Sequence, residues 1–233
     1  MDNNITQISR RDREKLARRR EIIQAARTVF ARKGFNDTKL EDVAELAEFG
    51  KGTLYNYFTN KEALFQVVLE DSFEALKLIA ERTLQSDAPF PEKIDRFIRE
   101  ELTLFFNNLE AVQLFIRESH HLRGGNPLMH LMPQLLGIVA DTIAAEQTRG
   151  TVMNDVQPMA LAIILINMLM GQFNCRVLGR LSDPRSCVQA DSANDPHMSL
   201  SKIFADLTPQ DIEREVADAT RLIHAVFFNG IAR

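Results

Sequence analysis

The 233-residue chain has no tryptophan, two tyrosines and two cysteines. The cysteines, Cys175 and Cys187, make neither a disulfide framework nor a CxxC metal knuckle, which fits a reducing compartment. The opening stretch from Met1 to Thr6 lacks the apolar core of a signal peptide, and the longest apolar run, Met159 to Met170, falls short of the ~20 residues a membrane helix needs. A cytoplasmic protein without membrane association is therefore expected. Alternating β-branched runs are also missing; apolar residues recur at spacings of three and four, so the chain reads as all-α. No metal-ligand spacing, phosphate-cradling glycine loop or nucleophile motif is visible, and His120, His121, His130, His197 and His224 are scattered. Neither an enzyme nor a cofactor-dependent or metal-dependent protein is expected, and there is no internal repeat.

What is present is the composition of a globular protein, with 45% hydrophobic and 26% charged residues. The net charge of -4 hides an asymmetry, since residues 1–65 carry 13 Lys/Arg against 10 Asp/Glu, and the remainder 15 against 22. Within the positive end Arg10, Arg11, Arg13, Lys15, Arg18, Arg19 and Arg20 lie close together, opposed only by Asp12 and Glu14. That density suits phosphate contact, although a basic run alone is also what a solvated helix face looks like.

The periodicity predicts a first helix from Asp12 to Lys33, with Leu16, Ile23, Ala26 and Phe30 on one stripe and Gly34 as a left-handed stop. Thr38 is expected to cap a short second helix that turns Leu40, Val43, Ala44 and Ala47 inward. After Glu48-Phe49-Gly50 a third helix is predicted from Lys51 to Phe58, and Asn60 caps a fourth from Lys61 to Leu84. Asp87 to Pro91 is a break. Further helices are expected over Glu92 to Asn108, Ala111 to Leu122, Leu128 to Gln147, Val156 to Leu178 and Pro209 to Phe228, about nine in all, with a polar loop from Gly179 to about Ser201.

Two short helices joined by a three-residue turn have the form of a DNA-reading helix-turn-helix. With Leu54 and Phe58 as anchors, four residues apart, Thr53, Asn56 and Tyr57 fall outward and Tyr55 lies at the margin. Asn can pair with adenine edges, Thr and Tyr hydroxyls reach phosphates or bases, Lys51 and Lys61 flank them as phosphate clamps, and Gly52 lets its backbone N–H approach a phosphate closely.

From Arg20 to Leu69 the chain resembles the tetracycline-repressor (TetR) family of bacterial regulators. The resemblance rests on Ala25-Ala26, Phe30, Gly34-Phe35, Thr38, Val43-Ala44, Ala47 and the block from Lys51 to Leu64. It implies a helix-turn-helix DNA-binding domain over residues 1–65 and a helical effector-binding and dimerisation domain over 66–233. It also implies DNA contacts from Lys39, Lys51, Gly52, Thr53, Tyr55, Asn56, Tyr57 and Lys61. Two departures stand out: Glu48 occupies the usual turn glycine, with a left-handed backbone as the consequence, and Gly50 replaces a capping Ser or Thr.

In the second part the helix from Val156 to Leu178 is apolar nearly all round and needs cover on more than one side. Family members pair their last two long helices with a second subunit, and two reading helices must meet successive major grooves ~34–36 Å apart, so a two-fold homodimer is expected. Phe73, Phe97, Phe105, Phe106, Phe115, Met129 and Met132 are enough soft surface to line an apolar cavity, with His120, His121, Asn167 and Gln172 as polar contacts. The resulting expectation is a ligand-responsive repressor released from a palindromic operator by a small, largely apolar effector. Its alternatives are an effector-independent DNA-binding factor of the same fold, or a metal or redox sensor using Cys175 or Cys187.

Overall fold

The structure is a computed structural model that describes residues 9–119, 128–182 and 204–231, with backbone only for 115–119, 128–130, 177, 178, 180–182 and 231. The described residues form α1 (Arg10–Asp37), α2 (Leu40–Leu46), α3 (Lys51–Tyr55), α4 (Lys61–Leu84), α5 (Phe90–Asn107), α6 (Leu109–Ser119), α7 (Leu128–Arg149), α8 (Pro158–Ser182) and α9 (Pro209–Ile231), with no strand among them. The all-α expectation holds. The polar loop expected from Gly179 begins later, because α8 runs through Ser182; the rest of that loop lies outside the described residues.

Ser9 starts α1 by accepting a hydrogen bond from the Asp12 N–H (3.1 Å). Burial begins only at Ile22, so Leu16, expected on the core stripe, is 44% exposed; no neighbouring helix covers the first turns. Gly34 takes φ 78° and breaks the helix as expected, although a last turn carries the chain to Asp37. Thr38 does not cap α2. It is buried and its hydroxyl donates to the Gly34 carbonyl (2.7 Å), which the break has freed. The cap is Lys39, whose backbone N–H donates to the Asp42 carboxylate (3.1 Å).

The turn after α2 is closed by two bonds, Glu48 N–H to Glu45 C=O (3.1 Å) and Phe49 N–H to Ala44 C=O (2.9 Å). This is a Schellman motif, whose turn residue adopts the left-handed region. Here that residue is Glu48, at φ 57°. Helix α3 is shorter than the sequence predicts and ends at Tyr55, because Asn56 and Tyr57 bond back three residues, to Thr53 (3.1 Å) and Leu54 (3.0 Å). Phe58 still donates to the Leu54 carbonyl (3.0 Å) and is buried with it. Asn60 caps α4 as expected, its Oδ1 accepting from Ala63 N–H (2.7 Å).

Two packed clusters result, and α4 belongs to both. The first gathers Ile22, Phe30, Val43, Leu54 and Phe58 with Leu64, Phe65, Val68 and Phe73 of α4, and takes in Leu114 of α6. Phe30, Phe35 and Phe65 form its aromatic centre, with ring centroids 4.8–6.2 Å apart. The second joins Ala80 and Leu84 of α4 to α5, α7, α8 and α9. Helix α8 over Pro158–Arg176 is the one described helix long and apolar enough to cross a bilayer, longer than the apolar run alone indicates, and 28% of it is buried. Met159, Ile163 and Ile164 of α8 and Leu222 and Val226 of α9 are each 42–56% exposed, and the two helices touch.

A side chain held at positive φ costs roughly 1–2 kcal/mol that glycine does not incur. Glu48→Gly is therefore expected to raise unfolding free energy by about 1 kcal/mol in urea titration. Unchanged or lower stability would contradict the strain assigned to that turn.

Candidate nucleic-acid interface and ligand cavity

The edge of the first cluster presents a continuous polar and basic surface. Buried Leu54 and Phe58 fix the segment's rotation, which leaves Lys51, Gly52, Tyr55 and Asn56 exposed and Thr53 half-buried. Tyr55, expected at the margin, is 47% exposed, whereas Tyr57, expected outward, is half-buried against the core. The early end of α3 accounts for this, since three-residue turns rotate residue 57 back toward the cluster. Arg19, near the end of the basic run, lies 5.5 Å from the Phe58 ring centroid, which brings that end of the run beside the segment following α3.

The lysines differ in their freedom. Lys39 is exposed. Lys51 pairs with Glu41 of α2; this contact holds the Glu41 carboxyl below its ordinary range and raises the Lys51 ammonium. Lys61 donates to the carbonyls of Phe35 (2.7 Å) and Asn36 (3.1 Å) and sits over the Phe35 ring, so its ammonium closes the frayed end of α1 and keeps one donor for anything else. A Cβ at Gly50 or Gly52 would meet nothing within 4 Å, and neither has positive φ, so the protein's own packing does not require glycine at either position.

The second candidate site is a cavity of about 210 Å³ between α4, α5, α6, α7 and α8, walled on one side by Arg27 of α1. Of the residues expected to contact a ligand, Phe73, Phe105 and Met132 line it. Phe97 and Phe106 belong to the packed core instead, and Asn167 is exposed on the outer stripe of α8, its amide donating to Ile163 C=O (2.8 Å). Of the other expected contacts, His120 and His121 lie outside the described residues, as do the side chains of Phe115 and Met129. Gln172 instead accepts from Arg176 (2.9 Å). Cys175 is exposed on α8, and Cys187 lies outside the described residues.

Residues 22–68 match the family model for bacterial regulatory proteins of the tetR family. The HTH-type transcriptional repressor NicS of Pseudomonas putida is 30% identical over 147 residues, 59% of this chain and 67% of NicS. The chain belongs to the TetR family. The HTH-type transcriptional regulator RutR of Escherichia coli K12 is 34% identical over 128 residues, 55% of this chain and 58% of RutR. Across the curated relatives matched first, the chain spans 28–58% of their own length. In fold, the TetR-family regulator PfmR of Thermus thermophilus superposes with a TM-score of 0.61 at 18% identity, covering 88% of this chain and 97% of PfmR.

What the sequence reading missed in this TetR-family cavity is its polar content. Arg27 pairs with Asp71 of α4 (2.5 Å), and next to it Thr28 donates to Glu110 of α6 (2.7 Å). Glu101 of α5 is 1% exposed. Among the described residues, Arg27 Nε and Glu101 Oε1 are the buried side-chain atoms without a hydrogen-bond partner, and both residues line the cavity. Burial pushes the Glu101 carboxyl well above its ordinary range, with the neighbouring Glu100 carboxylate adding to the effect. One signal was legible: Glu101 sits amid Phe97, Ile98, Leu102 and Phe105, an acid on an otherwise apolar stripe.

A carboxyl whose pKa is raised by folding favours the native state below its unfolded pKa of about 4.3, and that contribution is lost as pH rises toward the folded value. Glu101→Gln removes the loss, so the melting temperature of the variant relative to wild type is expected to climb between pH 5 and 8. Parallel pH profiles would show that Glu101 ionises in the folded protein as readily as in water.

Proposed function

We propose that the chain is a ligand-responsive transcriptional repressor that grips a palindromic operator as a homodimer and is released when a small, largely apolar effector fills the cavity. The observation that carries this reading is the exposed pair Tyr55 and Asn56 at the end of α3, in a segment held to the core by buried Leu54 and Phe58. Asn56 reads an adenine edge; Tyr55, Thr53 and, at the rim, Tyr57 meet phosphates or bases. Lys39 and the arginines of α1 neutralise phosphates, and Lys51 exchanges Glu41 for phosphate on docking. Lys61 uses its remaining donor there. Gly52 admits a phosphate oxygen against the backbone where a Cβ has free space within the protein alone.

The exposed apolar stripes of α8 and α9 support the dimer. A bilayer is a poorer match, because Asp218 and Arg221 of α9 pair with each other on the exposed surface. Residues 1–65 act as the reading head and 66–233 as sensor and dimer body, with α4 common to both. The cavity wall contains Arg27 of α1, so an occupant touches the reading head itself. It need bind only one head separation better than the other to shift the population away from the DNA-competent state.

Operator DNA selected from a random duplex library provides the assay. Gly52→Ala is expected to keep or slightly raise thermal stability while weakening operator affinity at least tenfold, since only the DNA side is crowded. Glu41→Gln is expected to tighten binding at low salt by freeing Lys51. Ile163→Glu with Val226→Glu is expected to sediment as a monomer and lose the operator. Enrichment of no sequence, or an Asn56→Ala protein with undiminished selectivity, would overturn the reading.

A further inference from the structure

The cavity carries an ionisable group that the reading above does not use. Glu101, Leu104 and Phe105 lie at i, i+3 and i+4 and so share one face of α5, and they line the cavity together with Asn108, the residue that ends the helix. The same cavity is lined by Leu76, Met132, Ile166 and Met170, beside the polar Arg27, Asp71, Ser72 and Asn108. A buried acceptor with no donor is costly, and a buried acid with no cation more so.

The charges that face the cavity are few. From α1 and α4 come Arg27 and Asp71, which neutralise each other at 2.5 Å, and the described side chains of α6, α7 and α8 that line the cavity include no titratable group. On α5 itself Glu100 pairs with Arg82 of α4. Among the described residues that line the cavity, the one acid left without a counter-charge is Glu101.

We propose that the effector cavity is selective for a small apolar amine, whose ammonium group donates to Glu101 while its hydrocarbon part fills the space among Phe105, Leu76, Met132 and Ile166. This rests on the effector reading above and narrows it to one ligand class. A cation supplies both the missing donor and the missing charge, whereas a hydroxyl supplies only the first. Phe105 and the methionines are suitable company for a desolvated ammonium and for its alkyl chain. The cavity, at about 210 Å³, sits below the size that holds drug-sized molecules, so the amine is small.

Proton linkage gives the proposal a signature that packing alone does not produce. Burial raises the Glu101 carboxyl well above its ordinary range and an ammonium beside it draws it back down; wherever the empty-cavity carboxyl is protonated, binding releases a proton and tightens as pH rises, by up to tenfold per pH unit. The direction follows from the raised carboxyl. An alkylamine stays protonated from pH 6 to 9, so the slope belongs to the protein.

The test is calorimetric titration of the full chain with n-octylamine and with 1-octanol, at pH 6, 7 and 8, for wild type and Glu101→Gln, followed by operator titration with each compound at saturation. Expected for wild type are octylamine binding at least tenfold tighter than octanol at pH 8 and a positive pH slope for the amine alone. Glu101→Gln should lose the slope and the preference while still binding octanol, which shows that its cavity is intact. Equal affinity for the two compounds in wild type, or an amine preference that survives in Glu101→Gln, overturns the proposal. If octanol alone binds and loosens the operator, the amine assignment fails and the effector reading stands. If the amine binds as expected and the operator complex is indifferent, the reverse holds. If neither compound binds, both fail.

Discussion

The structure depends on one helix being held at both ends by different cores. Leu64, Phe65 and Val68 of α4 are locked among α1, α2 and α3, while Ala80 and Leu84 are locked against α5 and its neighbours. A helix of 24 residues whose backbone bonds are intact does not absorb a rotation in its middle. In the proposed mechanism a change in packing near Phe73 and Leu76, which line the cavity, is carried along α4 to the cap at Asn60 and to the reading segment beyond it. The contacts of Arg27 and Thr28 with α4 and α6 add a second connection through α1.

The reading segment itself is small and locally imperfect. Helix α3 has five residues, no side-chain cap bond, and a left-handed glutamate in the preceding turn. An isolated helix of that length is not stable in water. Its position comes from Leu54 and Phe58, which sit in a core centred on three mutually packed phenylalanines, and the burial of such side chains outweighs strain of about a kilocalorie per mole. Stability is thus concentrated behind the surface, and the surface is left free to carry groups chosen for recognition.

The sequence made the architecture legible where periodicity was long and caps were standard. The starts of α4 and α9 follow from Asn60 and Pro209, and Glu48 was recognisable through the resemblance to the TetR family, which places a glycine at that turn. Two kinds of feature were hidden. Local competition decided the ends of short elements: Thr38 bonded backward to Gly34, and α3 stopped at Tyr55, which exchanged the expected exposures of Tyr55 and Tyr57. The cavity was hidden for a different reason. An apolar side chain in a lining and one in a core have the same sequence signature, so Phe73, Phe105 and Met132 could not be separated from Phe97 and Phe106 before the helices were packed. The charged members, Arg27, Asp71 and Glu101, come from three helices, and no spacing along the chain brings them together.

Coupling between cavity and reading surface through α4 is the claim on which the account turns. The direct measurement is the distance between two reading heads in the proposed dimer, by double electron–electron resonance from a single spin label at Thr59 in a chain with Cys175 and Cys187 replaced by serine. Saturating the cavity with a compound shown by calorimetry to bind is predicted to shift the inter-label distance distribution and to loosen operator DNA in parallel. A distribution that stays the same with the cavity full would contradict the account.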